Sequence, residues 1–151
     1  MLKYNIASLE EEFDVKLDDD QKKALSSLTN FLESKKFSIC LSGVAGTGKS
    51  LCIKMLLRIL KQNNKQHTVC TPTNKAKTVL CDYAFTIHSV LNLRPNLNIL
   101  DFDASNMEFI KGNIKVYSNE IFIVDECSMI NDEMFYFFRD RLCKTYKNII
   151  I

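Results

Sequence analysis

The chain has 151 residues and a mass of 17.4 kDa, the size of one ordinary domain, which excludes a multidomain machine. Hydrophobic residues make up 46% and charged residues 25%, a balance that fits neither a disordered nor a membrane class. The 20 basic and 18 acidic residues leave a net charge of +2, so any basic surface has to be local.

Residues 1–16 read as a polar lead-in with one apolar cluster; they are acidic and lack the apolar run of a signal peptide. Asp18-x-x-Gln21 is a capping-box pattern that opens a helix, and Ala24, Leu25, Leu28, Phe31 and Leu32 follow on one face. Residues 37–42 predict a short buried strand ahead of a glycine-rich turn. Residues 51–60 form a helix that is apolar on nearly every side except at Lys54 and Arg58, which predicts deep burial. Residues 67–71 predict a second strand stopped by Pro72, 74–82 a helix and 87–93 a shorter one. Over 92–119 the helical period is lost, and Arg94-Pro95, Asn96, Asn98 and Gly112-Asn113 punctuate short β-type runs, an insertion with a hairpin or two. Ile121-Phe-Ile-Val124 is a core strand. Asn131 can cap a helix to about Cys143, with Asp132 and Glu133 favourably placed for its dipole. Residues 148–151 begin another apolar strand, which we expect to expose an aggregation-prone sheet edge. Strands alternating with helices predict a parallel α/β sheet.

The 6 cysteines stand at Cys40, Cys52, Cys70, Cys81, Cys127 and Cys143, with no C-x-x-C pair, and His67 and His88 fall in no zinc-binding frame. Most lie in apolar runs, where a free thiol acts as a small hydrophobe. No apolar stretch approaches the length of a membrane span. A reduced, soluble, intracellular protein is expected, in the cytoplasm or a DNA compartment.

Gly43-Val-Ala-Gly-Thr-Gly48-Lys49-Ser50 satisfies G-x-x-x-x-G-K-[ST] between a predicted strand and a predicted helix. In such a loop glycines let backbone amides curl around phosphate oxygens, and the helix N-terminus adds positive potential. Lys49 can reach the β- and γ-phosphates, while the Ser50 hydroxyl suits Mg²⁺. Ile121-Phe-Ile-Val-Asp125-Glu126 brings a carboxylate pair to the carboxyl edge of the sheet. There Asp125 can hold Mg²⁺ and Glu126 can act as general base on an attacking water. The neighbouring Glu favours nucleotide hydrolysis over phosphoryl transfer to a small molecule. Asn74-Lys75-Ala76-Lys77 lacks the Asp of a guanine-reading N-K-x-D.

With these residues in place the chain resembles the N-terminal, RecA-like motor domain of superfamily 1 DNA helicases of the Dda and RecD type, over residues 17–151. Leu17-Asp-Asp-Asp-Gln21 resembles the Q motif, whose Gln reads the adenine edge; Gln21 can equally be only the helix-capping partner of Asp18. Residues 43–50 match motif I, which implies nucleotide contacts at Gly43, Ala45, Gly46, Thr47, Gly48, Lys49 and Ser50. Thr71-Pro-Thr-Asn-Lys-Ala-Lys77 resembles motif Ia, and Thr86-Ile-His88-Ser89 resembles the T-I-H motif. The resemblance implies DNA contacts at Thr71, Pro72, Thr73, Asn74, Lys75, Thr86 and His88. Alternatively, Thr71, Thr73 and Asn74 satisfy a strand-to-helix turn and His88 is a buried histidine. Asp125-Glu-Cys-Ser-Met129 resembles motif II with its D-E-x-S-M tail. The insertion at 92–119 sits where the family carries a strand-separating β-hairpin, with Phe102 and Phe109 as aromatics that either stack at the fork or pack.

The resemblance implies an ATP- and Mg²⁺-dependent helicase acting in DNA replication, repair or recombination, with single-stranded DNA as partner. The family's motif III and second RecA-like domain, with its arginine finger, do not appear in the sequence. Arg139 and Arg141 lie on the helix after motif II and cannot substitute. The expectation is therefore a P-loop NTPase fold, incomplete in its sheet, in a fragment that needs the missing domain or a split partner chain. Two other readings stay open: an AAA-type ATPase acting as a loader, and a non-catalytic nucleotide-binding remnant.

Overall fold

Asn5 opens the first helix: its side chain accepts from the amides of Ala7 and Ser8, and α1 runs over Ile6–Glu12. The computed structural model describes residues 2–72, 80–81, 83–91, 121–130, 132–142 and 148–151. The predicted helix over 74–82, the insertion with Phe102 and Phe109, and the ends Asn131 and Cys143 of the late helix lie wholly or mostly outside them. Helix α1 changes the picture of the lead-in, because Leu9 is buried and joins the same core as Leu17 and the helices that follow.

Helix α2 (Asp19–Leu32) begins as the capping box requires. Asp18 Oδ1 accepts from the Gln21 amide at 2.8 Å, and Gln21 Oε1 accepts from the Asp18 amide at 3.1 Å. Its buried Leu25, Leu28 and Phe31 face helix α3 (Lys49–Gln62), which buries Cys52, Ile53, Met55, Leu56, Leu57, Ile59 and Leu60. A fully buried aliphatic side chain contributes roughly 1.5–3 kcal/mol, so α3 is the main apolar anchor of the phosphate loop that precedes it. The N-terminal segment straps these helices together. Asn63 bonds both the amide and the carbonyl of Lys3, Arg58 pairs with Glu12 at 2.6 Å, and Tyr4 meets Thr29.

Strands β1 (Ser38–Ile39), β2 (His67–Thr71), β3 (Phe85–Thr86), β4 (Ile121–Val124) and β5 (Asn148–Ile150) form one sheet in the order β1-β5-β4-β2-β3, and every pairing is parallel. Helix α4 (Ile87–Leu91) follows β3 directly, and α5 (Asp132–Leu142) precedes β5. This is the parallel α/β architecture of a P-loop NTPase fold.

Two expectations change. Residues 37–42 were expected to be a buried strand, yet β1 is short and lies at the edge of the sheet among the described residues, with Phe37 38% exposed and Cys40 exposed. An edge strand has a neighbour on one side only, so its apolar run is only partly covered. Conversely, the isoleucines at 149–150 are no open edge. Ile149 and Ile150 are buried because β5 runs between β1 and β4, with Ile149 beside both Ser38 and Phe122. No helix among the described residues is long and apolar enough to cross a membrane.

Candidate nucleotide site

Parallel strands deliver their carboxyl ends to one edge, and the turns leaving β1 and β4 meet there. Between β1 and α3 the chain passes through two left-handed glycines, Gly46 and Gly48, each with φ 82°. A side chain at Gly48 would also collide, since a Cβ there would stand 2.5 Å from Gln21 Nε2. Gly48→Ala is therefore expected to cost about 1–2 kcal/mol from the backbone alone, with a further penalty from the clash. The outcome is a lower thermal midpoint and weaker nucleotide binding, both read on the purified chain.

The loop is braced by its own side chains. Lys49 Nζ donates to Gly43 O at 2.8 Å and Val44 O at 2.9 Å, and Thr47 Oγ1 donates to Val44 O at 2.8 Å. Gln21 adds a tie from another element: its Nε2 donates to Thr47 O at 3.1 Å while its Oε1 stays in the capping box. One amide group thus fixes the start of α2 and the loop together. That bond spans 26 residues of chain, and no local pattern announces it.

Across the edge, the Asp125 amide donates to Cys70 O at 3.0 Å, which extends the β2–β4 ladder by one residue past the strand. Glu126 then turns left-handed, with φ 58° and ψ 34°, and opens the 3-10 turn Cys127–Met129. A non-glycine residue in this region stores strain of order 1–3 kcal/mol. Burial raises the Asp125 carboxyl above its ordinary value. The Glu126 N–H pulls it back, the Glu126 charge raises it and the Lys49 charge lowers it.

These turns enclose a cavity of about 630 Å³, within the ordinary range of small-molecule sites. Of the nucleotide-binding residues expected from the sequence, Gly43, Ala45, Gly46, Gly48, Lys49, Ser50, Asp125 and Glu126 line it. Gln21 and Thr47 are not among its lining residues; their bonds to Thr47 O and Val44 O brace the loop. Cys40, Leu41, Ile53 and Ile151 also line it, and no chemical motif in the sequence marks them. The fit to Mg²⁺ and a polyphosphate rests on the donors present. The Ser50 hydroxyl and the Asp125 carboxylate are hard oxygen ligands suited to Mg²⁺, and Lys49 lines the same cavity. Among the described residues no group of three or more His, Cys, Asp or Glu is arranged to hold another metal.

The residues expected to meet DNA divide. Thr71 and Pro72 are buried at the end of β2, where Thr71 pairs with Thr86. Their side chains are buried there and shape the end of the strand. Thr86 is half-buried, and its hydroxyl accepts from the Ser89 amide at 3.2 Å at the start of α4. His88 lies on α4. Thr73, Asn74, Lys75 and Lys77 lie outside the described residues. Arg139 is engaged within its own helix, stacked 5.0 Å from the Tyr136 ring and paired with Asp140.

Residues 22–151 match the AAA domain family, and the chain belongs to that family. The chain is also similar to the ATP-dependent DNA helicase dda of Enterobacteria phage T4, with 27% identity over 124 residues. The match takes in 79% of this chain and 27% of that protein, so the chain spans about a quarter of the length of the relative it resembles. The Dda-type resemblance read from the motifs and the P-loop α/β fold are both borne out.

Proposed function

We propose that the chain is the ATP-binding motor domain of an ATP-dependent DNA helicase, in which hydrolysis drives single-stranded DNA translocation and duplex unwinding. The observation that carries this reading is the meeting of Lys49 and Ser50 with Asp125 and Glu126 on one cavity wall. In this reading the amides of residues 43–48 cradle the phosphates and Lys49 meets the β- and γ-phosphates. Ser50 and Asp125 hold Mg²⁺, which when bound neutralises charge on the phosphate oxygens. Glu126 accepts the proton of the attacking water. Gln21 holds the loop and offers its remaining hydrogen and lone pair toward adenine.

Residues 17–151 make up the motor domain in this scheme, with 1–16 leading in and 92–119 inserted. Thr73, Asn74, Lys75, Thr86 and His88 contact the DNA strand, with Thr71 and Pro72 behind them. A second motor domain, in the same polypeptide or a partner chain, supplies the arginine finger and the rest of the DNA track. The dda relative supports this reading, since its length extends well beyond the matched stretch.

The test is single-strand binding followed by fluorescence anisotropy across a salt series. Binding is expected to be weak, indifferent to sequence and strongly salt-dependent, because backbone phosphates are held and not bases. Replacing Lys75 and Lys77 together by Ala is expected to weaken all sequences alike. Losing two phosphate contacts should lower the salt slope by about 1.4. A loss confined to one sequence would mean base readout and would sink this model of the DNA contact.

A further inference from the structure

Two free thiols stand on the wall of the nucleotide cavity, and neither has a part in the hydrolytic scheme. Cys40 follows β1 and is exposed; Cys127 begins the turn after β4 and is half-buried. Both line the cavity together with Lys49, Ser50 and Asp125. They come from different strands with β5 between them, since Ile150 pairs with Ile39 on one side and Ile123 on the other. At ordinary strand spacing β1 and β4 are thus roughly 10 Å apart, and the two thiols frame the cavity floor at Ile151 from either side. By contrast, Cys52 and Cys70 are buried, with no comparable access to solvent.

The segment that carries Cys40 is also held firmly. Ile151 N donates to Ile39 O at 2.9 Å and Leu41 N donates to Ile151 O at 2.8 Å, so ladder bonds grip the chain on both sides of Cys40. Three residues after Cys40, Gly43 begins the phosphate loop. A group attached to the Cys40 sulfur therefore stays at the cavity, in the volume a nucleotide would use.

We propose that Cys40, with Cys127 across the floor, is a thiol-modification site that reversibly closes the nucleotide cavity, its reagent a small-molecule disulfide. The inference rests on the nucleotide-binding reading above. The chemistry is thiol–disulfide exchange. The Cys40 thiolate attacks one sulfur of the reagent, the reagent's S–S bond breaks, and a new S–S bond joins Cys40 to one half. The other half leaves as a thiolate, and the proton that Cys40 lost passes to that thiolate or, where the leaving thiol is acidic, to the buffer. No further oxidant is needed, and a free thiol in excess reverses the step. Exchange at Cys127 follows the same balance and comes second, because that sulfur is less exposed.

The experiment treats the full chain with dithiobis-nitrobenzoate, whose released thiolate is coloured, and maps the modified cysteines by mass spectrometry. ATP binding is measured by calorimetry before treatment, after it, and after dithiothreitol. Cys40 is expected to react first, and saturating Mg·ATP to slow it roughly tenfold or more. The modified chain is expected to lose at least tenfold in ATP affinity and to recover on reduction. The C40S/C127S double variant is expected to bind ATP as the unmodified chain does and to keep that binding through treatment. Unchanged ATP affinity after modification of Cys40, or no protection by nucleotide, would overturn the thiol gate and leave the nucleotide site standing. Absence of ATP binding in the untreated chain would instead overturn the nucleotide reading itself, and this inference with it.

Discussion

Lys49→Ala is expected to abolish most ATP binding while leaving the fold in place. Hydrogen bonds to charged groups contribute about 1.5–3 kcal/mol, which corresponds to a rise in Kd of roughly 10- to 150-fold. Among the described residues the side chain bonds the Gly43 and Val44 carbonyls of its own loop, and both lie where water can replace it. Helix α3 keeps its buried face, because none of the residues that anchor it is touched. Circular dichroism should therefore match that of the parent chain while calorimetry shows the loss. Equal affinity in the variant would mean that the phosphates are not held by this loop.

Glu126→Gln is expected to act on turnover and to spare binding. Gln keeps the size of the side chain at a strained, left-handed position and removes only the capacity to accept a proton. Asp125 remains, with its amide still bonded to Cys70 O, so the Mg²⁺ ligand of the proposed scheme is intact. General-base catalysis contributes about 10²–10⁴ in rate, and a loss of that size is expected in a chain completed by a second motor domain. In the proposed scheme the arginine finger of that second domain contributes a further 10³–10⁵ or so, so the assay is made on the completed protein. Unchanged turnover in the completed protein would move the base to another residue.

The parts of the fold that were legible in the sequence are those whose signals are local. The Asp18/Gln21 capping box, the apolar face of α3, and strands β2 and β4 all follow from spacing within a few residues. The cavity wall was legible for the same reason, because the spacing of 43–50 and the Asp125-Glu126 pair encode their chemistry directly. Helix α1 carries a local signal of its own: Asn5 stands as a cap before Ile6, Leu9 and Phe13 at helical spacing. Strand β3 had none to offer, since Phe85–Thr86 is a strand only because it pairs with Cys70 and Thr71. The depth of β5 and the edge position of β1 are likewise properties of sheet order, which no window of residues contains. The tie from Gln21 to Thr47 was hidden for the same reason, as was the burial of Thr71.

Among the described residues the strand that leads into the phosphate loop has one pairing partner, β5, and the two meet at Ser38 and Ile149. A ribosome makes about 5–20 residues per second, so on the order of 5–20 s separate the synthesis of these two positions. During that interval α2 and α3 can pair, being neighbours in sequence, but the loop between β1 and α3 is tethered at its helical end alone. The phosphate loop is therefore made long before the strand that fixes its leading end, and the nucleotide site is completed only after β5 has emerged.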